Sequence, residues 1–326
     1  MKKLKGLALF LSLLILVVTI SGCTQNKGIE NELKVEDSSL EDSVEIRDEG
    51  DFPVVVEDTF GNVETIEQEP MKIISLAPSN TEVLFELGLG DRVMGVTSYC
   101  DYPEEAKTKE VIGDFSGNNL ERIIELNPDL VLVYGSGDED ENRIMRDAGI
   151  KVLGFMSESL SEIVDDIKTI GKATGKEKEA EELVSTIVAK KDSIVELVKG
   201  ENEVRVFYEI WHDPLMGAGK GSFMDELITL AGGTNIADDA DGAYPQYDLE
   251  QLIERDPEIY LSAHDMEDKT VESIKERPGY SVMTAIINNR VHLFYNDEAD
   301  IVSRPGPRIS EALEIVAKAI HPQLFE

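Results

Sequence analysis

Cysteine, histidine, tryptophan and positive charge are all scarce in this chain. Its 326 residues include two cysteines, Cys23 and Cys100, so a disulfide framework and a four-thiolate zinc site are both excluded. The histidines are His212, His264, His292 and His321, and a bare transition metal, which draws imidazoles from several elements, finds none in the first half. Basic residues number 31 against 66 acidic ones, a formal net charge of 31 − 66 = −35. Such an excess of carboxylates repels phosphate backbones, so nucleic acid is not an expected partner. Enzyme signatures are equally thin. There is no nucleophile-elbow serine and no close-spaced histidine pair. In the run 217–222 the glycines are misplaced for a phosphate loop. The segment 237–248 begins on Ala237 and ends on Asp248, where a calcium loop needs an acid and a glutamate. A hydrolase working through a pair of carboxylates stays open, because acids are plentiful and their spatial pairing is not written in sequence. The expectation is a protein that is not an enzyme and carries no cofactor or bound metal.

What the chain does have begins at its amino terminus. Lys2, Lys3 and Lys5 precede an uncharged apolar run, 6–20, too short to span a bilayer comfortably. The run ends in Ile20, Ser21, Gly22 and Cys23, which resembles the lipobox of bacterial lipoproteins. That resemblance implies a signal peptide over 1–22, cleavage before Cys23, and acyl chains on the new amino-terminal cysteine, hence a lipid-anchored, extracytoplasmic protein. Residues 24–52 hold ten acids against Lys27, Lys34 and Arg47, a self-repelling composition that reads, with Cys23, as a flexible tether over 23–52.

From Pro53 onward short β-branched runs alternate with helical periods, the signature of α/β architecture. Strands are predicted at 73–76, 92–96, 130–133 and 152–155, with helices at 80–87, 119–125 and 141–147. Ser79 and Glu82 are spaced for a capping box at the first helix. A second α/β unit gives strands at 204–210, 259–261 and 291–294 and helices at 223–231, 249–255 and 307–320, with Ser222 and Asp225 as a capping signal. Between them, 176–199 carries apolar residues on a helical period and no proline. The predicted layout is an amino-terminal lobe over 53–170, a bridging helix within 171–202 and a carboxy-terminal lobe over 203–326, two Rossmann-like lobes with parallel sheets joined by one long helix. A stiff rod between lobes allows only small opening motions.

An internal repeat is the strongest signal. Residues 119–132 align with 248–261 at a constant offset of 129: an Asn or Asp cap, a glutamate in the first turn, a proline stop, then a strand. Glu121 and Glu250 thus occupy matched helix amino termini, which stabilise their charge. Two matched anionic knobs suit a partner with two-fold symmetry. Rings crowd the positions that follow the strands: Tyr99, Tyr102, Phe115, Tyr134, Trp211, Tyr244 and Tyr247, from only 20 Phe, Trp and Tyr in the chain. Ligands of α/β lobes bind outside the carboxyl ends of strands, and aromatic walls suit a large flat cargo.

The runs 75–82, 95–103 and 119–133 resemble the helical-backbone substrate-binding proteins of ABC importers, and the likeness extends from about Val54 to the carboxy terminus. That family takes up cobalamin, iron siderophores and haem. The resemblance implies ligand held between two lobes and delivery to a permease dimer. Within the family the pattern is nearest to cobalamin binders, in which a glutamate from each lobe engages permease arginines; these map onto Glu121 and Glu250. It also implies ligand contacts at Tyr99, at Phe115 and Tyr244, where those proteins carry tryptophan, and at Arg304. Tyr134 and Trp211 join them from their places after strands. The expected cargo is a corrinoid, with a ferric siderophore or haem as the alternative, since a guanidinium at 304 also suits carboxylates. His212, beside Trp211, is a possible axial ligand to haem iron or cobalt. Arg308 reads as structural.

Overall fold

The computed structural model describes residues 52–325 except Phe115 and Asp265. The signal peptide, Cys23, most of the tether and Phe115 therefore lie outside the described residues. The chain opens on a hairpin, Val54–Glu57 (β1) and Val63–Ile66 (β2). The amino-terminal lobe follows as Ile73–Ser75 (β3), Pro78–Glu86 (α1), Val93–Thr97 (β4), Glu110–Asp114 (β5), Gly117–Asn118 (β6), Leu120–Leu126 (α2), Leu130–Tyr134 (β7), Glu139–Asp147 (α3) and Lys151–Phe155 (β8). Two consecutive helices come next, Leu160–Thr174 (α4) and Glu177–Val198 (α5). The second lobe is Val204–Trp211 (β9), Met216–Gly217 (β10), Phe223–Leu230 (α6), Gly233–Asn235 (β11), Leu249–Arg255 (α7), Ile259–Ala263 (β12), Val271–Lys275 (α8), Thr284–Ile287 (α9), Val291–Phe294 (β13), Asp297–Ser303 (α10) and Ile309–Ile320 (α11).

The first sheet runs β6-β5-β4-β3-β7-β8, parallel apart from the edge strand β6. In the second, β9 pairs in parallel with β12 and with β11, and β12 with β13, so the order β11-β9-β12-β13 repeats β4-β3-β7-β8. Leu130 to Val133 and Ile259 to Ser262 are buried throughout, as strands covered on both faces must be. The sequence repeat is a structural one. Helices α2 and α7 are each seven residues long, capped by the Asn119 and Asp248 side chains. Both end on a left-handed residue, Asn127 at φ 47° and Asp256 at φ 45°, before Pro128 and Pro257. Both then use the next acid to hold an earlier strand: Asp129 Oδ2 accepts the Met71 and Lys72 amides, and Glu258 Oε2 accepts the Arg205 amide.

Helix α5, rising roughly 33 Å at about 1.5 Å per residue, packs on α4 of the first lobe and on α11 of the second. Its buried residues Ala180, Ile187, Ile194 and Val198 recur on one stripe and join a core that includes Ile167 and Ile170 of α4 and Leu313 and Val316 of α11. The bridge of the sequence reading is therefore present, with α4 as an unforeseen partner. Where the sequence suggested a capping box at Ser79, helix α1 instead starts at Pro78 after Ala77 with no side-chain cap. Glu82 is drawn inward by arginines of the other lobe, which outcompete a local backbone amide.

The turn between α4 and α5 is tight enough that a Cβ on Gly171 would stand 2.5 Å from the Ala180 Cβ and 2.9 Å from the Lys176 carbonyl oxygen. Helix propensity alone favours alanine over glycine by about 1 kcal/mol. Overpacking costs about 1–3 kcal/mol, so Gly171→Ala is expected to lower stability in urea denaturation. A gain would mean that the two helices are less closely packed than described.

Candidate functional site

A cleft of about 600 Å³ opens at the carboxyl ends of β3, β4 and β7. The order of strand addition reverses there, since β4 to β6 lie on one side of β3 and β7 and β8 on the other, all but β6 parallel. Such a switch point leaves a crevice that neighbouring connections cannot cover. The volume falls within the range of about 300–1,000 Å³ common to small-molecule sites. One wall comes from Leu76 to Ser79 after β3 and from Tyr99 after β4. A second comes from Tyr134 at the end of β7 with Asp138, Glu141 and Asn142 of the next turn and helix. The second lobe contributes Ser303, Arg304 and Pro305. Another cavity, of about 570 Å³, lies at the end of α5 near Lys199 and Thr229, away from the ring-bearing positions.

Beneath the cleft the lobes are braced by charge. Glu82 of α1 is 1% exposed. It accepts two hydrogen bonds from Arg308, at 2.8 Å from Nε and 2.6 Å from Nη2. The Arg308 guanidinium also lies 3.9 Å from the centre of the Tyr102 ring. Arg304 Nη1 lies 2.8 Å from Asp101 and 3.3 Å from Glu82, and its Nη2 lies 2.8 Å from Asp300. Burial alone pulls the pKa of both arginines down, but these carboxylates outweigh it and hold both above the ordinary value. Bidentate guanidinium–carboxylate pairs are the geometry that repays desolvation. Arg304 thus borders the cleft with its guanidinium already engaged by three carboxylates, and Arg308 is structural.

The structure brings Tyr99, Tyr134 and Arg304 to one cleft. Tyr244 comes from the second lobe and donates from its hydroxyl to Glu158 Oε2 at 2.9 Å, a bond between lobes. Burial, then this hydrogen bond, pushes its pKa up, and burial raises that of Tyr134. Trp211 is exposed at the end of β9, donates from Nε1 to the Asp213 carbonyl at 2.9 Å, and does not border this cleft. Tyr247 is buried against Phe207. Glu121 and Glu250 are exposed on the first turns of α2 and α7. His212 Nδ1 is buried without a partner among the described residues, and burial followed by the Arg277 charge lowers the histidine's pKa. Among the described residues no group of three or more His, Cys, Asp or Glu side chains is arranged to hold a metal ion.

Sequence reasoning missed Glu82 as an ion-pair partner, the acceptor wall of Asp114, Asp138, Glu141 and Asn142, and a buried group around Glu209. The spacing of Asp138 and Glu141, with Asp138 capping α3, was a readable signal. Glu209, 1% exposed on β9, accepts from the Tyr260 hydroxyl and Arg277, and Lys269 Nζ lies 3.1 Å away. Burial pushes its pKa up, yet Arg277, Tyr260 and Lys269 together bring it below the usual glutamate value.

Two outcomes follow from these charges. Removing one side of a buried pair costs about 3–5 kcal/mol, so Glu82→Gln is expected to lose that much in guanidinium denaturation. A loss under about 1 kcal/mol, typical of surface pairs, would contradict the brace. A carboxyl whose folded pKa is depressed stabilises above its unfolded value and loses that contribution as pH falls. Glu209→Gln should therefore flatten the acid side of the stability–pH curve below about pH 4.3, and an unchanged slope would contradict the assigned charge state.

Comparison with known proteins agrees with this geometry. The family model described as periplasmic binding protein matches residues 73–297. An uncharacterized ABC transporter substrate-binding lipoprotein of Bacillus subtilis, YvrC, is 36% identical over 334 aligned positions covering 100% of both chains. A vitamin B12-binding protein of Vibrio campbellii is 30% identical over 249 positions, 76% of this chain and 88% of its own. The crystal structure of a possible iron-binding, periplasmic solute-binding protein of Staphylococcus epidermidis superposes with a TM-score of 0.68 at 33% identity, covering 78% of this chain and 100% of that one. With its two lobes of parallel-stranded sheet joined by a helical backbone, the chain belongs to the periplasmic binding protein family, as a substrate-binding protein of ABC transporters.

Proposed function

We propose that this protein captures a corrinoid in the cleft between its lobes and delivers it to an ABC permease. The observation that carries the reading is the ring-edged cleft at the switch point, with Tyr99 and Tyr134 in its walls and Tyr244 reaching the same region from the opposite lobe. Flat macrocycles bury well against aromatic faces, with a few polar groups fixing orientation. The similarity to a vitamin B12-binding protein supports the choice of cargo. An iron chelate is the second reading, favoured by the similarity to a possible iron-binding protein. Phe115, which the resemblance assigns to the ligand, belongs to the same proposal, as does lipid anchoring through Cys23.

Delivery rests on Glu121 and Glu250. They stand in matched positions of a duplicated unit, exposed and at helix amino termini, as docking onto a two-fold permease dimer requires. No bond is made or broken. The bridge formed by α5 restrains the lobes, so release follows a limited parting rather than a wide hinge.

Calorimetry with cyanocobalamin is expected to give one saturable site per chain, and Tyr134→Ala should weaken it by at least about tenfold, the range of a well-packed ring in a binding site. Absence of binding would remove the corrinoid reading, and tighter binding of a ferric chelate would favour the second. Glu121→Lys with Glu250→Lys should lower uptake by at least about tenfold, as reversed charges at a docking contact do, while cargo affinity holds. Loss of both, or of neither, would contradict the division of roles.

A further inference from the structure

The charge of the cleft narrows the cargo further, and this step rests on the reading of the cleft as the cargo site. Among the described residues that line it the only cation is Arg304, held by Glu82, Asp101 and Asp300. The same cleft is lined by Asp114, Asp138 and Glu141. Each has one oxygen occupied: Asp114 Oδ1 accepts the Ser116 amide at 2.6 Å, Asp138 Oδ1 the Glu141 amide at 2.9 Å, and Glu141 Oε2 the Asn118 Nδ2 at 3.0 Å. None of these donors is a cation, so these contacts do not offset the carboxylates by ion pairing. Their second oxygens have no hydrogen-bond partner among the described residues.

An independent feature points the same way. Asn142, also in the wall, is 5% exposed. Its amide Nδ2 donates to the Ser136 carbonyl at 2.7 Å, while its Oδ1 is buried with no partner among the described residues. A buried acceptor left unsatisfied is costly, and such groups in native structures ask for an explanation. Here the missing complement is a donor, which reaches Oδ1 only if the side chain turns toward the cleft. The wall thus offers acceptors and negative charge, and its cation is spoken for. Asp114 and Asp138 are exposed and Glu141 half-buried, so their like charge opposes an incoming anion with a strength that salt reduces.

The geometry points to a cleft selective for an uncharged or cationic cargo rich in N–H donors, such as an amide-bearing corrinoid, and selective against polyanionic cargo such as ferric catecholates and dicarboxylate porphyrins. Electrostatic complementarity of this kind sets specificity more than raw affinity.

The test is calorimetry of the full chain with four probes: cationic aquacobalamin, uncharged cyanocobalamin, anionic haemin and an anionic ferric triscatecholate. The two cobalamins are expected to bind at least about tenfold more tightly than either anion at low salt, a gap that narrows as screening increases. The triple variant Asp114→Asn, Asp138→Asn, Glu141→Gln keeps shape and capping while removing charge. It should bring the anions at least about tenfold closer to cyanocobalamin. If an anion binds the unmodified chain more tightly than cyanocobalamin, or if the variant leaves the ratio unchanged, the charge selection is wrong while the cleft remains a cargo site. If none of the four binds, the cargo reading itself fails and takes this inference with it.

Discussion

The architecture depends on a carboxylate buried between two lobes. Glu82 comes from the first helix of one lobe and Arg308 from the start of the last helix of the other, and each satisfies the other bidentately out of water. A buried charge without such a partner is expensive, so the pair tolerates little relative displacement of the surfaces that carry it. Around it, Tyr102 covers the Arg308 guanidinium and Arg304 gathers Asp101 and Asp300. The brace also explains why Arg304, placed at the edge of the cleft, is poorly free to neutralise an anionic cargo. One constraint therefore fixes both the spacing of the lobes and the electrical character of the space between them.

The bridge and the brace divide the work. Helix α5 ties the lobes along their helical layer through α4 and α11, while the ion pairs tie them under the cleft. Two further contacts cross between lobes: Tyr244 to Glu158, and the Leu160 amide to Glu226 Oε2 at 2.6 Å. Ties of this kind favour a preformed crevice over one assembled by large closure, which reduces the ordering cost of binding. The exposed Tyr244–Glu158 bond is the weaker kind of link, whereas the buried Glu82–Arg308 pair is costly to break.

Much of this was legible in the sequence, because duplication prints the same local physics twice. Asn119 and Asp248 cap, Pro128 and Pro257 stop, and the strands that follow are apolar without interruption because both faces are covered. Of the rings that follow strand ends, Tyr99 and Tyr134 border the cleft. What stayed hidden were pairings across long separations. Nothing near Glu82 distinguishes a capping glutamate from one whose partners lie 222 and 226 residues away. Trp211 has the same local signature as Tyr134, yet lies outside this cleft and uses its indole nitrogen for the Asp213 carbonyl. Helix α4 was unreadable as a bridge partner because its dependence on Gly171 is a matter of close approach, not of periodicity.

The central claim is that a cleft bordered by rings and lined with acceptors, held open above an intact brace, seats the cargo. A crystal structure of the chain grown with cyanocobalamin tests it directly. The account predicts the macrocycle between Tyr99 and Tyr134, its amide donors on the wall carboxylates, and the Glu82–Arg308 pair unbroken beneath. A macrocycle seated elsewhere, or a cleft that admits it only with that pair pulled apart, would contradict it.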